Sequence, residues 1–290
     1  MSILCHMADL RSGIKSKRIS SFDVYGGNGD FIYLPANETY TVADINCCGI
    51  IRHLWFTHTN EVPEDDLRQN VILRMYWDGS DKPAVETSLG EFFGQGFGGY
   101  HNTFALPVQG GPSAGSALVS YFPMPFRKGA RITLENKCPN EIRTYFYVDY
   151  ESREQLSDKD AYFYARKITS EDEYRFDITG CGQIVGVNLF VEGLSRPFSE
   201  LWNCSLSIDG KSGGYDLCGS DFFFTRDGWN INGGISSGVI DHAPTANGAK
   251  REQYYRFLLD APIRFRESLS CFVSVPSNEN LEILWYWYSI

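Results

Sequence analysis

The sequence lacks what would mark it as a nucleic-acid, membrane or zinc protein. Lys and Arg number 26 against 36 Asp and Glu, a net charge of −10. No basic stripe is therefore available for a phosphate backbone, and an anionic lipid surface would repel the chain. No apolar run approaches the ~20 residues of a membrane span. The N-terminal MSILCHMADLRSGIKSKR has no long apolar core of the kind that drives secretion, so a cytoplasmic location is expected. The eight Cys include no C-x-x-C pair, and Cys47 and Cys48 are adjacent, which suits no simple disulfide framework. Reduced thiols follow from that pattern and the expected compartment. The five His form no metal-ligand pair on a clear helix, and GQGFGGYHN has the glycines of a phosphate loop without its Lys. No metal and no cofactor is expected.

Aromatic residues and glycine are plentiful, with 20 Phe, 17 Tyr, 6 Trp and 28 Gly. That mixture favours short strands and tight turns over helices. The 290 residues are ample for two hydrophobic cores.

The chain also repeats itself. GIIRHLWF at Gly49 has a partner in GQIVGVNLF at Gly182, and YWDG ending at Gly79 has one in SIDG ending at Gly210. GEFFG at Gly90 pairs with GSDFFF at Gly219, PFRKGARITLEN at Pro125 with IRFRESLSCFVS at Ile263, and YFYVDY at Tyr145 with WYWYSI at Trp285. Any one pair would be noise, but five in the same order imply a tandem duplication. RITLEN, VILRMYW and YRFLLD alternate apolar and polar residues, as half-buried strands do. Asp78-Gly79, Asp209-Gly210 and Asn232-Gly233-Gly234 supply turn signals. Each half then holds about eight short strands, the rhythm of a jelly roll. The expected fold is all-β, a double jelly roll with few helices. The expected division is an extension over 1–18, a first jelly roll over 19–155 and a second over 156–290. The best helix candidate is Ser152 to Ile168, placed between the copies as a linker.

Several segments resemble a known family. SSFDVYGGNGDFIYLPANETYTVADINCCGIIRHLWFT, LRMYWDGSDKPAVETSLGEFFG, SYFPMPFRKGARITLEN and YRFLLDAPIRFRESL are similar to glycoside hydrolase family 172, formerly the domain of unknown function 2961. The resemblance extends over nearly the whole chain and is specific in the first half. It implies a double jelly roll that assembles as a homotrimer or hexamer. It implies retaining hydrolysis or transglycosylation of α-furanosides, of the fructofuranoside or D-arabinofuranoside class, by two Glu residues. In the second half the sequence departs from the family, which writes GEGD…VDGE…GTGTEDYF where this chain has CGSDFFF. Aligning Gly219 and Phe223-Phe224 puts Asp221 at the acid/base; a one-residue shift puts Ser220 there. The GEGD piece is missing, and Glu200 is the nearby acid for the nucleophile, 21 residues before Asp221.

The chemistry behind that assignment is general. Retaining glycosidases hold two carboxyls ~5–5.5 Å apart, one attacking and one donating a proton. Apolar surroundings raise the donor's pKa, and Phe222 to Phe224 flank Asp221. The plain alternative is that Asp221 satisfies a backbone turn, as Glu91 would in the first copy, and that Glu200 is a solvated loop acid. In FDVYGGNGDF, Asp23, Asn28 and Asp30 could bond sugar hydroxyls and Tyr25 could pack on a sugar face; the alternative is a self-bonded structural turn. Trp202 and Trp229 flank the expected site and serve equally well as core aromatics. The expected partners are a furanoside-containing carbohydrate and further copies of the chain. The competing reading is a catalytically degenerate carbohydrate-binding or assembly protein on the same scaffold.

Overall fold

The computed structural model describes residues 13–59, 64–98, 101–111, 116–193, 203–213, 222, 233–274 and 280–290, with residues 64–66 and 203 described by backbone alone. The first half contains β1 (Lys15–Ser20), β2 (Ile32–Leu34), β3 (Thr39–Ile45), β4 (Gly49–Thr59), β5 (Val71–Trp77) and β6 (Val85–Ser88). It continues with β7 (Thr103–Phe104), β8 (Val108–Gly110), β9 (Ala117–Ser120), β10 (Met124–Phe126), β11 (Ala130–Asn136) and β12 (Ile142–Ser152). The second half contains β13 (Tyr162–Ile168), β14 (Arg175–Thr179), β15 (Gly182–Glu192), β16 (Asn203–Ile208) and β17 (Lys211–Ser212). It ends with β18 (Ser237–His242), β19 (Arg251–Phe257), β20 (Ile263–Phe265), β21 (Ser268–Ser274) and β22 (Asn280–Ser289).

The strand order is written twice. β1-β12-β4-β9-β8, with β10 on β4, repeats as β13-β22-β15-β19-β18, with β20 on β15. β6-β5-β11-β3 repeats as β17-β16-β21-β14. Each half is a jelly-roll sandwich, and the chain is a double jelly roll. The bulges repeat as well. Arg52 in β4 and Val185 in β15 are each one residue extra to the pairing with β12 and β22.

The local chemistry explains the repeated words. Asp78 and Asp209 both take positive φ and are followed by a glycine that does the same. The Asp78 carboxylate accepts the N–H groups of Arg127, Lys128 and Gly129. Asp209 accepts those of Arg266, Glu267 and Ser268. Each Asp-Gly turn is thereby tied to the loop between β10 and β11, or between β20 and β21. Gly49 and Gly182 are needed for close approach. A Cβ on either would sit 2.4 Å from a backbone oxygen, that of Glu151 or Tyr288, and against the ring of Phe126 or Phe265. These contacts make Arg127 the counterpart of Arg266, one residue off the register read from the sequence.

Burial patterns show where the halves meet. β5 alternates, with Val71, Leu73, Met75 and Trp77 inward. β15 and β22 are buried on both faces over most of their length, which is why LEILWYWY reads as an unbroken apolar run. The outer face of the second sandwich is covered by the first. Phe163, Phe190, Tyr255, Phe257, Leu284 and Tyr286 belong to the core of the first half. Phe122 lies on Phe163 and Tyr286, and Phe92 meets both edge-on. Backbone pairing reinforces the junction: β6 and β13 run parallel with Ala165 opposite Val85, making one ten-stranded sheet through both sandwiches.

The expected linker helix does not form. β12 runs to Ser152, and Tyr162–Ile168 is β13, clamped between β22 and β6. Pairing on both sides outweighs the helix preference of that segment's Ala, Arg and Lys. Among the described residues no helix is long and apolar enough to cross a membrane.

Candidate functional site

Glu200, Asp221, Trp202 and Trp229 lie outside the described residues, as does Ser220. Asp23, Tyr25, Asn28 and Asp30 lie in the loop between β1 and β2. Asp23 organises that loop. Its carboxylate accepts the N–H groups of Tyr25 (2.9 Å), Gly27 (2.8 Å) and Gly29 (3.3 Å). These amides, Tyr25's first, hold the Asp23 carboxyl below its ordinary pKa. A Cβ on Gly27 would meet the Asp23 carboxylate at 2.7 Å, so a larger residue there would displace the carboxylate that organises the loop. Asp30 accepts the N–H of Asp23, and its own carbonyl accepts the Ser21 hydroxyl. Both carboxylates of FDVYGGNGDF therefore bond backbone. Tyr25, 94% exposed, and Asn28, at φ 61°, are displayed by the turn they frame. Phe31 anchors the far end against Tyr33 and Tyr145, with Arg143 over its ring.

A second constellation lies at the junction of the sandwiches. Ser88 caps the helical turn Leu89–Phe92, which carries Glu91 inward. Glu91 Oε1 is 2.9 Å and Glu282 Oε2 3.1 Å from Lys167 Nζ, and the Thr87 hydroxyl donates to the second Glu91 oxygen. The cluster opens into a cavity of 850 Å3 with Tyr164 stacked on Trp287 along one wall. Burial, and then the charge of Glu91, raise the pKa of Glu282. Burial pulls Lys167 down, but the two carboxylates outweigh it and the ammonium is stabilised. The Glu91 and Glu282 side chains are also hydrogen-bonded to each other, well inside the ~5–5.5 Å separation of a retaining glycosidase's carboxyls, which leaves no place for an anomeric carbon between them. The arrangement is a clamp between sandwiches, not a turn acid as read from sequence, and not a hydrolytic pair. Sequence spacing could not reveal it, because Glu91 and Lys167 are 76 positions apart.

On the opposite side of the junction a cleft of 730 Å3 is lined by Tyr121, Tyr288 and a set of arginines that includes Arg52 and Arg153. Both of those arginines pair with Glu151 and, against the penalty of burial, hold its pKa down to about 2. Gly111 to Gly115 reads G-x-S-x-G, the spacing of a nucleophile elbow, with residues 112–115 outside the described residues. It joins β8 to β9, two antiparallel strands, whereas an elbow needs a strand followed by a helix.

A family profile described as GH172 domain-like matches residues 30–147. The match is narrower than the near-complete resemblance expected, and it falls in the half where the motifs are specific. No curated protein matches the chain. Among solved structures, the major capsid protein P2 from Bacteriophage PM2 superposes with a TM-score of 0.52 at 7% identity, over 95% of this chain and 97% of that one. A structure of Sulfolobus Turreted Icosahedral Virus gives 0.42 at 10% identity, over 96% and 91%. The first of these is a likeness of fold alone. Through its first sandwich, the chain resembles the GH172 family.

Proposed function

We propose that the protein is a retaining glycoside hydrolase or transglycosylase acting on α-furanosides of the fructofuranoside or D-arabinofuranoside class. The observation that carries this reading is the GH172 domain-like match over residues 30–147. Glu200 is the nucleophile and Asp221 the proton donor, with Tyr25 and Asn28 of the β1–β2 loop, and Trp202 and Trp229, contacting the sugar. Asp23 and Asp30 support that loop through the backbone bonds described above. The working unit is a closed homo-oligomer, a trimer or a pair of trimers.

A second reading, a carbohydrate-binding or assembly protein without catalysis, has its own support. Asp221 is one methylene shorter than the family's Glu, which retracts the donor by about 1 Å and can cost on the order of a hundredfold in rate.

The test uses natural furanosides beside aryl furanosides with a good leaving group. Asp221→Asn should abolish turnover of the first and spare the first step on the second, because an aryloxide departs unprotonated. Glu200→Gln should abolish both, since no covalent intermediate can form. Glu91→Gln should leave kcat/KM unchanged. Binding of a furanoside without turnover by the wild type would favour the second reading.

A further inference from the structure

The arginine-lined cleft at the junction gathers positive charge on a chain whose net charge is −10. Arg52 comes from β4, Arg153 from just after β12, and Lys159 from the segment leading to β13. Arg264 and Arg266 come from β20 and its end. Each sandwich therefore supplies charged residues to the lining. Arg52 sits on the bulge of β4, and its counterpart on the bulge of β15, Val185, lines the same cleft. Ile50 and Gln183, one step after Gly49 and Gly182, are a second such pair. Bulges re-aim side chains and recur beside binding sites. The duplication thus brings the same end of both jelly rolls to one shared space.

The charges are not all spent on one another. Glu151 pairs with both Arg52 and Arg153, so one carboxylate answers two guanidinium groups. Arg52 Nε is sealed from water with no acceptor, which leaves that group short of the hydrogen bonds that would offset its burial. Asp209 lies close enough to Arg266 to feel its charge. Lys159 and Arg264, both exposed, enter no salt bridge among the described residues. Asp160, the carboxylate on the lining, accepts the Ser157 N–H. The rest of the lining is largely apolar. Tyr121 is 49%, Leu259 39% and Ile290 65% exposed, large side chains left open to solvent in the cleft. Tyr288 is fixed beside them by its hydroxyl, which donates to the Pro123 carbonyl.

We propose that this cleft binds an organic phosphate monoester, its phosphate held by the arginines and Lys159 and its apolar or aromatic body lying on Tyr121, Leu259 and Ile290. Guanidinium groups bind phosphate through paired N–H donors. An excess of more than one positive charge suits a dianion better than the single charge of a carboxylate. A volume of 730 Å3 between two domains, mostly apolar with a few charged groups, is that of a small-molecule site. None of these residues has a part in the proposed hydrolysis, so failure of the site would leave that reading standing.

Isothermal titration calorimetry of the full chain with phenyl phosphate, inorganic phosphate and benzoate tests the proposal. Phenyl phosphate should bind with a Kd below about 1 mM. The other two should bind about tenfold more weakly, since inorganic phosphate lacks the body and benzoate the second charge. Lys159→Gln combined with Arg264→Gln should weaken phenyl phosphate about tenfold with the thermal midpoint kept. Amide NMR of the wild type gives an independent readout should the variant fail to fold. Phenyl phosphate should shift the resonances of residues 121, 153 and 258–266 and leave those around Lys167 in place. No binding of phenyl phosphate at millimolar concentration, equal binding of benzoate or inorganic phosphate, a folded double variant that binds like the wild type, or shifts confined to other residues would each overturn the proposal.

Discussion

At the scale of residues, two aspartates carry the repeated turns, and each can be tested singly. Burial pushes the Asp78 carboxyl up, but the Tyr162 hydroxyl and the amides of residues 127–129 outweigh it and hold the pKa below its ordinary value. Asp78→Ala orphans three amides at the start of β11 and should cost about 2 kcal/mol in urea unfolding. Asp209→Ala removes the same contacts at an exposed site and should lower the midpoint less. The Asp78 contribution is present above the carboxylate's unfolded pKa and is lost as pH falls through the depressed folded value. Two histidines act at higher pH. Burial, helped by the charge of Arg68, lowers the pKa of His58 to about 3. Burial, helped by His101, does the same for His242. Residue surface remains accessible at both, yet each Nε2 is sealed without a partner. The unfolded chain therefore binds protons first, and stability should begin to decline as pH falls below ~6.5 and continue toward 3. A urea midpoint constant from pH 7 to 4.5 would contradict this. Replacement of His242 by Asn should flatten the decline if the variant folds.

At the scale of elements, the glycines that start β4 and β15 set how closely β12 and β22 approach. Gly49→Ala and Gly182→Ala each drive a Cβ onto a backbone oxygen that cannot rotate away. Each should cost about 1–3 kcal/mol, measured by chemical unfolding. Gly79→Ala meets no atom but sits at φ 80°, so its cost should come from backbone strain alone. Much of this was legible in the sequence. The words around Gly49, Asp78 and Phe126 recur because each performs a backbone task that few residues can. The Glu91 clamp was not legible, because a carboxylate's partner is chosen in three dimensions. Nor was β13, whose helix-like composition yields to pairing on both edges. In the β1–β2 loop the sequence showed a glycine-rich turn with acids. Only the geometry showed that Asp23 and Asp30 face backbone while Tyr25 and Asn28 face outward.

At the scale of the whole molecule, the core of the first sandwich extends across the junction, while the second sandwich also holds a core of its own. Phe92, Phe122, Phe163 and Tyr286 are buried at the junction, and each such side chain contributes roughly 1.5–3 kcal/mol. A partly exposed ion cluster such as Glu91–Lys167–Glu282 contributes about 1 kcal/mol or less. Aromatic burial therefore holds the halves together, and the clamp fixes their alignment. Calorimetry should show a single transition with equal calorimetric and van't Hoff enthalpies. Two resolved transitions would mean that the halves are independent. Function rests on the same unit, because the proposed carboxyls belong to the second sandwich and the GH172-like segment to the first. The most direct measurement is proton NMR of the first-formed product during cleavage of an aryl α-furanoside by the wild type. The account predicts an α-configured product that mutarotates only later. A β-configured first product, or no product with any fructofuranoside or D-arabinofuranoside, would contradict it.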